Sequence, residues 1–146
     1  METPVKYGKI LAATDGSRPA LSAGRHAVYL AKSFGGEVIV LNVVDTTLAF
    51  RSGLHYSKEV ADLEISGMEA TAKIKALCDE AGVPVREMIV SGTPHAVILQ
   101  VACDERVDLI VMGSVGMTAI ERTLLGSVSE RVTHHASCPV LLVREQ

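Results

Sequence analysis

From residue 38 to residue 44 the chain reads Val-Ile-Val-Leu-Asn-Val-Val, a nearly unbroken run of β-branched and aliphatic side chains. A strand wet on one face alternates apolar with polar residues, so a continuous run of this length predicts a strand covered on both faces, as in a parallel sheet packed between helices. Parallel neighbours need a crossover of about a dozen residues, usually helical. The chain supplies such crossovers in order. Residues 7–14 form a short apolar run that stops at Asp15-Gly16-Ser17, and Arg18 to Phe34 carries Leu21, Gly24, Val28 and Ala31 at helical spacing up to Gly35-Gly36.

After the strand at 38–44, residues 46–58 mix Thr, Ser, Gly, Arg and His without period and read as a surface loop, long enough to suspect a cover over a ligand. Val60, Leu63, Met68, Ile74, Leu77 and Ala81 then mark the apolar face of one long helix, with Glu59, Asp62, Glu69, Lys73, Lys75 and Glu80 toward water. Val85 to Val90 reads as a third strand and Pro94 to about Glu105 as a helix with proline in its first turn. Val107 to Met112 is a fourth strand, Ser127 to about Ala136 a short helix, and Val140 to Val143 a fifth strand. Strands alternating with helices predict one α/β domain over 1–146, a three-layer α/β/α arrangement around a mostly parallel open sheet.

Composition narrows the function. Hydrophobic residues make up 48% of the chain but aromatics only 3%, so the core must be built from aliphatic side chains. A formal charge of −3 lacks the basic excess that nucleic acid or an anionic membrane selects, and neither is an expected partner. Cys78, Cys103 and Cys138 form no CxxC pair and read as reduced core thiols. The five histidines show no HExxH spacing, and His134-His135 reads as a solvated helix end. With no apolar run of membrane-spanning length and no apolar leader at the N-terminus, the expected location is the cytoplasm.

In an open parallel sheet, ligands bind beyond the carboxyl ends of the strands. The polar clusters of this chain stand at such ends: Thr14-Asp15 after the first strand, Asp45 after the second, Gly92-Thr93 after the third, and Gly113-Ser114-Val115-Gly116 after the fourth. The last is followed by Gly126-Ser127 where a helix begins. Glycine lets backbone N–H groups come close to an anion, and a helix N-terminus presents unpaired N–H groups with partial positive charge. These features together predict a phosphate site. Neither the lysine-bearing GxxxxGK[ST] loop nor a GxGxxG after the first strand is present, so P-loop NTPases and dinucleotide-dependent dehydrogenases are not indicated. Asp15 reads equally well as a ligand contact and as the N-cap of the first helix.

Gly113, Gly116, Gly126 and Ser127 meet the signature Gly-x2-Gly-x9-Gly-(Ser/Thr) without insertion. Together with Lys9-Ile-Leu-Ala-Ala-Thr-Asp-Gly-Ser17, Leu41-Asn-Val-Val-Asp45 and Cys138-Pro-Val-Leu-Leu-Val143, the chain resembles the universal stress proteins along its whole length, in the subclass that binds ATP. The resemblance implies a five-stranded Rossmann-like sheet of the adenine-nucleotide alpha-hydrolase kind, in strand order 3-2-1-4-5. It implies that Ala13, Thr14 and Asp15 flank the ribose and phosphates, that the Val43 backbone pairs with the adenine edge, and that Met112 and Gly113 line the nucleotide. Gly116 and Gly126 would give backbone approach to the phosphates, and Ser127, Val128 and Ser129 would supply N–H and hydroxyl donors. The cofactor would be ATP, or ADP or AMP, with Mg or Mn held through the phosphates and no metal ligated directly by the protein.

The partners implied are adenine nucleotide, a second copy of the chain along the last strand, and protein partners that the resemblance leaves unknown. The loop departs from the pattern at Val115, where relatives often carry a polar or basic side chain, and Arg122 is the one cation from Gly113 to Ser129. Phosphate charge would then fall to backbone dipoles and metal. A binding and regulatory module is the expected activity, and a slow metal-dependent ATP hydrolase or nucleotidyl transferase using the same pocket is the alternative.

Overall fold

In the computed structural model, which describes residues 4–51, 53–116 and 125–145, five strands pair side by side in the order 3-2-1-4-5. They are β1 (Lys9–Ala13), β2 (Glu37–Asp45), β3 (Val85–Gly92), β4 (Leu109–Gly113) and β5 (Val140–Val143). All four pairings are parallel, with Ile10 opposite both Val38 and Leu109, and Ile110 opposite Val140. The sheet is wholly parallel, one step beyond the mostly parallel sheet expected.

The helices are α1 (Arg18–Phe34), α2 (Thr46–Phe50), α3 (Tyr56–Ala81), α4 (Pro94–Asp104) and α5 (Ser127–His135). Alternation along the strands sorts the core into two clusters. Ile10, Ala12, Val38, Val40 and Val111 point to one face, where Ala23, Ala27 and Ala31 of α1 and Ile74 and Cys78 of α3 cover them. Leu11, Ile39, Leu41, Ile110 and Met112 point to the other, under Ile98, Val101 and Ala102 of α4 and Val132 of α5. Helices on both faces explain why β2 carries no alternation: Val38 to Leu41 is buried throughout.

α1 has clear sequence punctuation at each end. Ser17 caps it, its hydroxyl accepting from the Ala20 N–H at 3.3 Å, Pro19 occupies the first turn, and Gly35 closes it at φ 67°. The cap of α1 is therefore Ser17 and not Asp15, whose carboxylate instead accepts the Ser17 N–H at 3.0 Å.

Three further expectations are corrected. The segment 46–58 is not a loop: it holds α2, a 3₁₀ turn at Gly53–His55 and the start of α3. The Asp45 carboxylate accepts the Thr47 N–H at 3.0 Å, a capping geometry, and Ala49 is buried; a five-residue helix is too short to show a period. The buried stripe of α3 is Gly67, Ala70, Thr71, Ile74 and Cys78, while Met68 is 53% exposed. Small residues carry that face because α3 lies close against its neighbours, so a reading weighted by side-chain hydrophobicity drifts off the stripe. Among the thiols only Cys78 is buried; Cys103 is exposed and Cys138 half-buried, and all are free. His134 and His135 are exposed as expected, and their rings meet edge to face at 4.8 Å. No helix among the described residues is long and apolar enough to cross a membrane.

Candidate functional site

The chain runs from β1 outward through β2 to β3, then returns to place β4 on the other side of β1. That reversal opens a crevice at the carboxyl ends of β1 and β4, the position where open α/β sheets bind ligands. A cavity of about 670 Å³ lies there, in the range of roughly 300–1,000 Å³ typical of small-molecule sites.

Each of the eleven residues singled out from the sequence lines this cavity. Ala13, Thr14 and Asp15 contribute from the end of β1, Val43 from β2, and Met112 and Gly113 from β4. Gly116 and Gly126 stand on either side of the loop that leaves β4, and Ser127, Val128 and Ser129 form the first turn of α5. Arg122 and the rest of 117–124 lie outside the described residues.

Local hydrogen bonds fix the walls. The Gly16 N–H donates to the Thr14 hydroxyl at 3.1 Å, and Gly16 turns the chain at φ 84°, a conformation that glycine adopts without strain. The buried Asn42 amide donates to the Thr14 carbonyl at 2.9 Å, and the Thr14 N–H to the Leu41 carbonyl at 2.9 Å, so the end of β1 is pinned to β2 on both sides. On the other side the Gly126 N–H donates to the Ser114 carbonyl at 2.7 Å, closing the base of the loop.

The Ser129 hydroxyl, buried, donates to the Gly113 carbonyl at 2.8 Å, which ties α5 to the end of β4. That hydroxyl is committed within the fold, so the donors left at this turn are the backbone N–H groups and the Ser127 hydroxyl. Gly126 offers no side-chain cap, and the first helical bond runs from the Glu130 N–H to the Gly126 carbonyl at 3.0 Å. The N–H groups of Ser127, Val128 and Ser129 precede that bond, as the first donors of any α-helix do, and all three residues line the cavity.

The three glycines answer to different constraints. A Cβ on Gly113 would sit 2.9 Å from Pro19 Cβ and 3.0 Å from its carbonyl carbon, so glycine there lets β4 reach the first turn of α1. Among the described residues, a Cβ on Gly116 would meet only the Asp15 carboxylate, at 2.8 Å to Oδ2, and one on Gly126 would find nothing closer than 3.4 Å. Gly126 has φ −75°, open to any residue. Packing dictates the first glycine, and among the described residues nothing dictates the third.

A fourth wall was not read from the sequence. Leu63, Ser66, Gly67, Glu69, Ala70 and Lys73 of α3 line the cavity, as do Pro94 and Ile98 of α4. Lys73, expected toward bulk water, is exposed but stands at the cavity rim, and among the described lining residues it is the one cation beside the carboxylates Asp15, Asp45 and Glu69. Asn42 carried a signal, being the one polar residue inside a buried apolar run. Lys73 carried none, since only tertiary packing brings α3 across the strand ends.

The family model for the universal stress protein family matches residues 6–144. Universal stress protein MJ0531 of Methanocaldococcus jannaschii is 41% identical over 141 residues, spanning 95% of this chain and 83% of that protein. Universal stress protein MJ0577 of the same organism is 37% identical, over 97% of this chain and 98% of its own length. The solved structure of MJ0577 superposes with a TM-score of 0.84 at 36% identity, covering 97% of this chain and 99% of that one. A universal stress protein solved in complex with cAMP superposes with a TM-score of 0.70 at 27% identity, over 97% and 99%. With a family model spanning nearly every residue and relatives above 30% identity along almost the full length, the chain belongs to the universal stress protein family.

Proposed function

We propose that this protein is a cytoplasmic, nucleotide-dependent regulatory module that binds ATP in the cavity at the strand ends and acts as a homodimer. The observation that carries this reading is the uncapped first turn of α5 opposite Gly116 and Gly126. Among the described residues, neither backbone conformation nor packing requires glycine at 126, and at Gly116 a Cβ would displace only a carboxylate tip. Keeping both positions bare leaves a path for a group that is not part of the protein, and the donors lining that path are N–H groups at a helix N-terminus, which favour an anion. Away from this end the walls turn apolar at Leu41, Val43, Ile98 and Met112, suited to a base. The relative in complex with cAMP supports a nucleotide in this family.

No group of three metal-binding side chains occurs among the described residues. A Mg or Mn ion would arrive on the phosphates, with no direct protein ligand, and would offset the acidity that Asp15, Asp45 and Glu69 give the cavity. Bound nucleotide would bridge α3, α5 and the strand ends, coupling occupancy to their relative positions. The homodimer reading rests on β5, an edge strand whose Val140, Leu141 and Leu142 are only half-buried in the single chain.

Isothermal titration with Mg-ATP tests the site. Wild type binds with 1:1 stoichiometry, Gly126→Val and Gly116→Val lose at least about tenfold in affinity through blocked phosphate approach, and light scattering of the same wild-type sample gives twice the 15.5 kDa chain mass. Unchanged affinity in both variants would remove the proposed site, and a single-chain mass would remove the dimer.

A further inference from the structure

A second, smaller cleft of about 100 Å³ opens between the first turn of α1 and the middle of α3. It shares Thr14, Gly16, Ala70 and Lys73 with the main cavity, so the two adjoin at the Gly16 turn. The turn and the helix are in close contact there: a Cβ on Gly16 would lie 3.5 Å from Ala70 Cβ. The cleft is therefore the extension of the main cavity past Asp15, away from α5.

Its donors differ from those at α5. The backbone N–H groups of Gly16, Ser17 and Ala20 are already engaged, donating to the Thr14 hydroxyl, the Asp15 carboxylate and the Ser17 hydroxyl. What the cleft offers an anion is the side-chain charge of Arg18 and Lys73, beside the Thr14 and Ser17 hydroxyls. Arg18 is paired with Glu145 at 3.4 Å, whereas Lys73 enters no hydrogen bond or ion pair among the described residues, although Glu69 stands one helical turn before it.

Resting on the nucleotide reading of the main cavity, we infer that Lys73 takes the terminal phosphate of a nucleoside triphosphate in this cleft, so that the site ranks nucleotides by the length of their phosphate chain. The inner phosphates meet the backbone donors of α5, and the chain continues over Asp15 to the lysine. A nucleoside monophosphate or a cyclic monophosphate ends before the cleft and gains nothing from Lys73. The lysine is thus a specificity residue, acting on triphosphates alone.

The test is calorimetric titration of Mg-ATP, ADP, AMP and cAMP into wild type, Lys73→Ala and Lys73→Arg. A charge-assisted contact at a partly exposed site predicts a loss of about fivefold to tenfold for ATP in Lys73→Ala, and less than about twofold for AMP and cAMP. Lys73→Arg recovers most of the ATP affinity. Equal losses for ATP and AMP, or none for either, would overturn the assignment of Lys73 and leave the nucleotide site standing. Failure of folded wild type to bind any of the four would overturn both.

Discussion

Gly113 and Gly126 belong to one motif yet fail for different reasons when replaced. At Gly113 a Cβ meets the backbone of Pro19 and Ala20 at 3.0 and 3.1 Å, and a rigid helix N-terminus has little room to retreat. Gly113→Ala is expected to cost about 1–3 kcal/mol of unfolding free energy, the range for overpacking, read as a lower denaturation midpoint in urea. Gly126 is the N-cap of α5 without a capping side chain. Gly126→Ser supplies one, and Ser is the better cap by about a few tenths of a kcal/mol, so the midpoint should hold or rise. The same hydroxyl accepts from the N–H groups that the phosphates need, so Mg-ATP affinity should fall. A variant more stable than wild type that binds as well as wild type would show that the α5 turn receives no anion. The motif in the sequence locates both glycines; which one serves packing and which one serves the cavity depends on the distance from β4 to α1, set by residues far away in the chain.

At the scale of the element, α3 joins the fold to the site. It reaches the sheet through Gly67, where a Cβ would collide with the Asn42 side-chain amide, and through the buried Thr71 hydroxyl, 2.7 Å from the Glu87 carboxylate of β3. Two effects oppose each other in Gly67→Ala. Helix propensity favours alanine by about 1 kcal/mol. Against it, the collision displaces Asn42, and loss of its bond strands the buried Thr14 carbonyl at about 1–3 kcal/mol, in addition to the overpacking itself. The second effect wins, so Gly67→Ala should lose roughly 1–5 kcal/mol of unfolding free energy and unfold at lower urea. A rise in stability would mean that α3 stands further from β2.

Strands and the four longer helices could be read from apolar runs, periodicity, Pro94 and the terminal glycines, because each of these signals acts within a few residues. α2 could not, since its one start signal, Asp45, also ends a strand. The small-residue stripe of α3 and the placing of Lys73 at the cavity depend on how closely helix and sheet approach, which no local pattern encodes.

For the whole molecule, Cys78 reports whether the layers stay closed. It lies on the inner face of α3, in the cluster with Ile10, Val38 and Ala27 from β1, β2 and α1, so reagent reaches it only when α3 leaves the sheet. Burial also pushes its thiol up to about 11, so at pH 8 only about one molecule in a thousand carries the reactive thiolate. Iodoacetamide should therefore label exposed Cys103 first and leave Cys78 intact until the protein opens. The sign of the pH effect follows from the same shift. In the folded state the thiol keeps its proton where the unfolded chain has lost it, so stability is full below the ordinary thiol range and declines as pH rises toward about 11.

Nucleotide bound between α3 and the strand ends favours the closed state, and at a concentration about 100 times its Kd it should stabilise that state by about 2.7 kcal/mol. Cys78 labelling, followed by mass spectrometry, should then slow by about 100-fold while Cys103 labelling stays constant. If both thiols react at one rate in the native protein, α3 is not docked as described. If saturating Mg-ATP leaves the Cys78 rate unchanged, the ligand does not bind at the strand ends, because any ligand confined to the closed cavity must shift this equilibrium.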